Sequence, residues 1–405
     1  MRVSTAFNRI LSLDGAWVES VSFTNDGVVV AIRAKSRRHR CPCGRACSAR
    51  YDWSRRRWRH LDMGAAKVWL EADIARVSCR ACRRVRTEAV PWARPGARHS
   101  SDFEDVVAWL AQRMDKSAVS KLMRCSWAAV HHIVGLVVAE HLELTRLDGL
   151  VHIGVDEISY KKGHHYLTVV ADHDQGRVVW AEPGKHTQAL SGFFEALGPE
   201  RRAAVQAVSM DLGTSYYSVT SAAVPHAAIC FDPFHVIQIA NRALDNVYSS
   251  TAREGAPVPS KQWRTARYAL RAGAERLSAA KADLLGQLQR SSRRLWRAWF
   301  LKERLRDFYR IVEPAEARQY LRRWLRSASA CRIREFVALA RTLRSRFEQI
   351  VAAVELGISN SRLEGINAKI RVIQRRGYGH RSAKSLAEMI YLCLGGITIQ
   401  LPTQR

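Results

Sequence analysis

The sequence predicts a mixed α/β chain, and three observations carry that prediction. Between 149 and 231, short apolar runs alternate with helical segments in the order strand, strand, strand, helix, strand, helix, strand. A segment rich in cysteine and arginine comes before it. A long arginine-rich stretch with little strand signal follows, from about 240 to 355. Three antiparallel-looking strands and then a helix–strand–helix–strand alternation is the order of a ribonuclease H-like sheet. The expected architecture is therefore an α/β ribonuclease H-like domain over 149–405 with a large all-α insertion. A zinc-binding module at 1–100 and a helix-turn-helix at 101–148 are expected to precede it.

Bulk composition narrows the function. With 405 residues the chain has room for two to four domains and ample core. Its 65 Lys and Arg against 37 Asp and Glu leave a net charge of +28. A field of that sign favours a long polyanion, with affinity arising from counterion release. No uncharged apolar run approaches the ~20 residues needed to span a bilayer, so no membrane partner is expected. Met1-Arg-Val-Ser-Thr-Ala-Phe-Asn8 lacks the pattern of a signal peptide. A cytoplasmic, nucleoid-associated protein is expected. The nine cysteines then read as reduced thiols and metal ligands.

In the first module Val28–Arg33 and Lys67–Val77 read as strands, and Pro91-Trp-Ala-Arg-Pro-Gly96 as a punctuated exit. Cys41-Pro-Cys43-Gly44, Cys47 and Cys79-Arg-Ala-Cys82 suggest a structural zinc site. The second pair has ordinary C-x-x-C spacing. The first is irregular, so Cys41 with Cys43, or Cys43 with Cys47, completes the set, with His39 and His60 as outside candidates. Cys125, Cys230, Cys331 and Cys393 lie in apolar contexts and read as core. Arg55, Arg56 and Arg57, near Arg37-Arg-His-Arg40, give the module a dense positive surface suited to phosphates.

In the next segment Ser101 is a candidate helix cap. Ser117–Met123, a polar break at Arg124–Ser126 and Trp127–Glu140 then give the layout of a helix-turn-helix. Ser126, Trp127, Ala128, His131 and His132 are placed to meet base edges, and Lys116 and Lys121 to meet phosphates. Val130, Ile133 and Val137 read as core.

From 149 onwards the expected strands are Val151–Ile158, His165–Asp172, Arg177–Glu182, Ala204–Met210 and Ala227–Phe231, with helices over Thr187–Leu197 and Ser215–Ala223. In the insertion, arginines such as Arg293, Arg297, Arg322 and Arg326 lie among Trp296, Trp299 and Trp324. Tryptophan at helical spacing is more often core than a stacking platform. Helices follow Gly357 and again lie around Ser385–Gly395.

Three acidic residues stand out. Asp156 and Asp211 close apolar strands, and Glu364 lies on a basic helix. Adjacent strands are about 4.8 Å apart, so carboxylates at neighbouring strand ends can share an ion. A helix packed across those ends can supply a third ligand to a pair of Mg²⁺ or Mn²⁺ ions. Asp232 rivals Asp211 because it also ends a strand, and Asp156-Glu157 offers a competing carboxylate. Asp172 and Asp174 fall in a hairpin turn and are expected to be solvated. Glu364, Asn367 and Arg371 form a helical stripe, and Lys369 and Arg371 can hold a phosphate backbone.

Several stretches together resemble bacterial insertion-sequence transposases of the ISL3 family. They are Ile153-Gly-Val-Asp-Glu-Ile-Ser-Tyr160, His164-His-Tyr-Leu-Thr-Val-Val-Ala-Asp172, Asp232-Pro-Phe-His-Val236 and Ile358-Ser-Asn-Ser-Arg-Leu-Glu-Gly-Ile-Asn-Ala-Lys-Ile-Arg371. The resemblance covers nearly the whole chain. It implies a DDE transposase with Asp156, Asp211 and Glu364 as its triad and with Asp232 and His235 in a supporting motif. It further implies binding of double-stranded transposon ends and target DNA, hydrolysis that frees a 3′-hydroxyl, and transesterification into the target. Joining two ends implies at least a dimer on DNA. A domesticated DNA-binding regulator, or a nuclease of the same fold, is the alternative.

Overall fold

A computed structural model describes residues 2–404 apart from 143, 162, 164, 185, 186, 213, 214, 359 and 360, and apart from the side chains of Leu144 and Ser361. His164, Ser359 and Asn360 of the motifs above lie outside the described residues. The chain divides into two compact units. One comprises Met1–Glu143, Arg376–Tyr378 and Gly396–Arg405, the other Leu144–Arg375 and Gly379–Gly395.

The first unit opens with α1 (Val3–Leu11) and the antiparallel strands β1 (Ala16–Thr24) and β2 (Gly27–Ala34). A two-residue ribbon, β3 (His39–Arg40) with β4 (Ala46–Cys47), leads to the long antiparallel pair β5 (Arg50–Met63) and β6 (Ala66–Cys79), and then to β7 (Arg84–Thr87). The sheet order is β1–β2–β6–β5, with β7 also paired to β6. Val28, Val30 and Ile32 of β2 and Val68, Leu70, Ala72 and Ile74 of β6 alternate into one core with Trp58 and Trp92.

Strand β5 was not expected, because half of its residues are charged. The register explains it: Arg55 lies opposite Asp73 and Arg57 opposite Glu71. Their side chains meet at 3.2 and 3.5 Å, and the Arg57 guanidinium also stacks over Trp69 at 4.3 Å. Cross-strand charge pairs of this kind stabilise a pleated surface. Arg55 and Arg57 thus face carboxylates across the strands, while Arg56 reaches the Thr87 hydroxyl at 3.4 Å.

Three helices follow in the same unit: α2 (Ser101–Ala111), α3 (Lys116–Leu122) and α4 (Trp127–His141). The cap of α2 is Ser100, whose hydroxyl accepts the Phe103 N–H, and Ser101 is the first helical residue. Asp115 caps α3, and Ser126 caps α4 by accepting the Ala129 N–H. The axes of α3 and α4 turn by 107°, the geometry of a helix-turn-helix. Arg124, at φ +50°, takes up the reversal. Val119, Val130, Ile133, Val134 and Val137 are fully buried. Among the described residues no single helix is long and apolar enough to cross a membrane.

Buried His60 and half-buried His99 make this unit acid-sensitive. His60 is 3% exposed, with Nδ1 2.7 Å from the Ser100 hydroxyl, and burial pushes its pKa down to about 4. Burial does the same to His99, also to about 4. A depressed folded-state value means that stability is intact above the unfolded value, near 6.5, and is lost as pH falls from there towards 4. For His60 alone this amounts to about 3 kcal/mol. Melting curves between pH 7 and 4 are expected to show a shallower loss in His60→Gln than in the wild type. Equal slopes would contradict this reading.

The second unit contains β8 (His152–Lys161), β9 (His165–Asp172), β10 (Arg177–Pro183), α5 (Thr187–Ala204), β11 (Ala207–Met210), α6 (Tyr216–Ala223) and β12 (Ala228–Phe231). Their order in the sheet is β10–β9–β8–β11–β12. The first three strands are antiparallel, β11 runs parallel to β8, and β12 runs parallel to β11. Helix α5 breaks at Gly198, which has φ +74° and precedes Pro199, so the regular helix stops where the sequence suggested.

From Pro233 the described residues are helical up to the last strand-packing helices. They form α7 (Pro233–Gly255), α8 (Ser260–Arg271), α9 (Ala279–Ser291), α10 (Arg293–Phe308), α11 (Pro314–Ser329), α12 (Arg334–Arg344) and α13 (Phe347–Glu355). The chain ends with α14 (Ser361–Arg376) and α15 (Ala383–Leu394). Trp299 and Trp324 are buried, and Trp324 donates its indole N–H to the Leu301 carbonyl at 2.8 Å. Trp296 stacks on Trp299 with ring centroids 4.7 Å apart. Trp299 and Trp324 are core and are not available to stack on bases, and Trp296 packs half-buried against that core.

Candidate active site and metal centres

The sheet register brings the aspartates into one row. Ser209 pairs with Gly154, and Met210 with Phe231. Counting on along the parallel strands sets Asp211 beside Asp156 and Asp232 beside Asp211. Parallel neighbours lie about 4.8 Å apart. Asp156 is not strand-terminal as expected. Pairing with β9 carries β8 on to Lys161, and Asp156 marks the point where β11 stops. Glu157, one residue on, faces the opposite side of the sheet, where it interacts with the Tyr216 hydroxyl.

Asp211, Asp232 and His235 bring one ligand atom each within 4.8 Å of one another. His235, in the first turn of α7, sets Nε2 3.0 Å from Asp211 Oδ1, and this bond holds the imidazole above its usual pKa. The rivalry between Asp211 and Asp232 therefore resolves into adjacency. Burial raises the Asp156 carboxyl, and the nearby Asp211 charge raises it further. Opposing this, the Glu157 N–H donates to Asp156 Oδ1 at 2.7 Å and Asn367 donates its amide to Oδ2. Two crowded, partly desolvated carboxylates are primed to gain from a cation.

Helix α14 lies along β8. A Cβ at Gly154 would meet Leu363 Cδ1 at 2.3 Å and His173 Nε2 at 2.6 Å, so any larger residue there must displace the Leu363 tip and the buried His173 ring. Leu363 thus sits over Gly154 and Asn367 over Asp156. Glu364, exposed, stands one turn before Asn367 on the same side of the helix and does not join the tight cluster. The sequence reading missed this seat, although a glycine inside a strand often marks a close approach. It also missed the support beneath: buried His173 meets the Ser209 hydroxyl at 2.7 Å, and Arg362 donates to the His173 carbonyl. Asp172, expected to be solvated, is 1% exposed; it accepts the Asp174 and Gln175 N–H groups and pairs with Arg177. Asp174 is the exposed member and pairs with His152.

The oxygen-rich donor set suits a hard divalent cation. Asn367 Oδ1 adds to the fit, since it is buried with no hydrogen-bond partner among the described residues. Lys369 and Arg371 lie on the exposed face of α14.

A second donor cluster lies in the first unit. Cys41, Cys43, Cys79 and Cys82 bring their sulfurs within 4.8 Å of one another. Cys41 faces Cys82 at 3.8 Å and Cys43 faces Cys79 at 3.7 Å. The Cys82 N–H, with that of Ala81, points at the Cys79 sulfur and lowers its pKa to about 6. Four thiols so arranged, one already favoured as thiolate, fit a tetrahedral zinc site. Cys47 is not one of these four, although it lies against Cys79 at the edge of the cluster, and its thiol also donates to the Arg45 carbonyl. His39 is held by Glu88 and His60 by Ser100, so neither joins the set.

At the start of α4, Trp127 is 40% exposed and stacks on His131 with centroids 5.6 Å apart. Lys116, expected at phosphates, is buried instead: its amine lies 3.1 Å from His131 Nδ1 and over the Trp127 ring. Lys121 is exposed.

Comparison with known proteins agrees with these three parts. A zinc-finger model of transposases of the IS204, IS1001, IS1096 and IS1165 elements matches residues 37–82. A model of the helix-turn-helix domain of transposase family ISL3 matches 88–134. A transposase model of the DDE type from the same family matches 153–390. The transposase for insertion sequence element IS1557 of Mycobacterium tuberculosis is 38% identical, over 99% of this chain and 98% of its own length. The transposase for insertion sequence element IS1001 of Bordetella parapertussis is 27% identical over 84% of each chain. The chain belongs to the ISL3 family of insertion-sequence DDE transposases.

Proposed function

We propose that this transposase binds the terminal inverted repeats of its element and performs both strand cleavage and strand transfer on a ribonuclease H-like sheet carrying Asp156, Asp211 and Glu364 as its triad. The observation that carries the reading is the row of aspartates across β8, β11 and β12, with α14 seated on β8 beside it. The strand order β10–β9–β8–β11–β12, with helices crossing between the parallel strands, supports the fold. The helices between β12 and α14 then form an insertion within that domain.

Asp156, Asp211 and Glu364 would hold two Mg²⁺ or Mn²⁺ ions, which supply activation of the attacking oxygen and charge for the leaving one. Asn367 orients Asp156 through its amide, and His235 orients Asp211. Asp232 adds negative charge beside Asp211. Lys369 and Arg371 steady the phosphate backbone along α14. Hydrolysis at the element end breaks a phosphodiester P–O bond and frees a 3′-hydroxyl. That hydroxyl then attacks a target phosphodiester, and the target's own 3′-oxygen leaves. No covalent protein–DNA bond is needed.

In the first unit Cys41, Cys43, Cys79 and Cys82 would hold structural zinc. Trp127 and His131 present α4 to base edges, and Lys121 and Arg56 contact phosphates. Two ends joined together call for at least a dimer on DNA, and such a protein works in the nucleoid.

The test is a linear DNA ending in the element's own repeat, incubated with Mg²⁺ or Mn²⁺. Cutting and joining are expected. Specific binding without cutting would favour a regulator, and cutting without joining a nuclease.

The seat of α14 yields a separate prediction. Gly154→Ala is expected to cost about 1–3 kcal/mol of stability through overpacking. It should also lower cleavage by about 100-fold, because displacing Asn367 and Glu364 by about 1 Å spoils alignment. Adding Leu363→Ala should recover part of the activity. Melting and cleavage assays check both, and an active Gly154→Ala protein would contradict the seat.

A further inference from the structure

A groove between α7 and α12 begins next to the aspartate row. It encloses about 690 Å³ and runs from Leu212 past Ile239, Arg242, Asn246, Ser249 and Arg253 on one side. Arg334, Ala338 and Thr342 line the other side. Leu212 directly follows Asp211. His235, which touches Asp211, belongs to the same stripe of α7: positions 235, 239, 242, 246, 249 and 253 recur at alternating four- and three-residue steps. The line of side chains therefore starts at the carboxylates and leads away along the helix. From Ile239 to Arg253 it is about 21 Å long at 1.5 Å per residue.

Its chemistry is that of a phosphate track. Arg242, Arg253 and Arg334 are exposed, and among the described residues none of them pairs with a carboxylate. Arg242 bonds only to the Gln238 amide oxygen, and Arg253 to the Ser249 carbonyl. Asn246, Ser249 and Thr342 add neutral donors. The acidic member, Glu335, is engaged by Arg294 at 3.4 Å. A groove of this volume has room for one sugar–phosphate chain, whereas the full width of a duplex could only lie across its mouth.

We infer that this groove binds the sugar–phosphate backbone of a single DNA strand leading away from the cleavage site. The inference rests on the function proposed above. Charge tracking the backbone is the general mode of single-strand binding. No aromatic side chain lines the groove among the described residues, so binding there is insensitive to base sequence.

The test measures affinity of the full-length protein for a mixed-sequence 20-nucleotide single strand and for the same sequence as duplex, over a range of salt and without divalent ions. The triple variant Arg242→Ala/Arg253→Ala/Arg334→Ala should lower the slope of log K against log salt for the single strand by about 2. The duplex slope should change less. A control triple, Arg293→Ala/Arg297→Ala/Arg326→Ala, removes equal charge from exposed positions outside the groove and should leave the single-strand slope unchanged. Lysine at the three groove positions should restore it, which separates lost contacts from lost folding. Equal effects from both alanine triples, an unmoved slope, or an equal loss on the duplex would overturn the groove. The assay requires no cutting, so failure of the wild type to cleave repeat-ended DNA would instead refute the catalytic reading.

Discussion

Asp156→Ala is expected to reduce end cleavage by about 1,000-fold or more while leaving DNA binding intact. Charge stabilisation by bound ions supplies several kcal/mol to such a reaction, and each 1.36 kcal/mol is tenfold in rate. The size of the loss follows from position. Asp156 stands at the row's inner end, where β11 stops, and is half-enclosed by Asn367 and the Glu157 N–H. Burial and the nearby Asp211 charge disfavour its ionised form, a cost that a bound cation relieves. Glu157→Gln is the internal control, since that side chain faces Tyr216 across the sheet. Single-turnover cleavage on repeat-ended DNA separates the two: a near-silent Glu157→Gln beside an inactive Asp156→Ala is the expected pair. Comparable losses from both would remove the distinction on which the assignment depends.

The second large effect concerns the cysteines. Cys79→Ser is expected to abolish zinc binding and, with it, the ordered ribbon formed by β3, β4 and the ends of β6 and β7. Structural zinc contributes folding free energy outright, and its removal unfolds small metal-built modules. DNA affinity should fall together with the fold. Cys47→Ser should keep both, because Cys47 borders the four sulfurs that close on one another without being one of them. Zinc content by metal analysis and melting of each variant check this. A Cys47→Ser protein lacking zinc, or a Cys79→Ser protein retaining it, would show that the ligand set is wrong.

How much of this was legible in the sequence depended on which force dominates locally. Strands β9, β11 and β12 are buried on both faces over most of their length, so continuous apolar runs announced them; β9 falls where expected, over His165–Asp172. Strand β5 was invisible because Arg55 and Arg57 are satisfied by carboxylates of β6, a pairing that only the register reveals. The cap of α2 moved by one residue because Ser100 and Ser101 are chemically alike and only backbone conformation separates them. The choice among Cys41, Cys43 and Cys47 required three-dimensional proximity, since the knuckle spacing is irregular. Lys116 looked like a phosphate ligand by type, yet its packing on His131 and Trp127 draws it inward. At the candidate site the acidic residues could be listed from sequence. Their arrangement could not, because it depends on Gly154 admitting α14 and on the parallel register of β8, β11 and β12.

The most direct measurement is the anomalous scattering of Mn²⁺ in crystals of the protein bound to a repeat-ended DNA. The expected result is two peaks about 3.5–4 Å apart, with Asp156 touching both, Asp211 on one and Glu364 on the other. Peaks that leave out Asp156, or Glu364 turned away from any ion while the DNA end is engaged, would contradict the assignment of this triad.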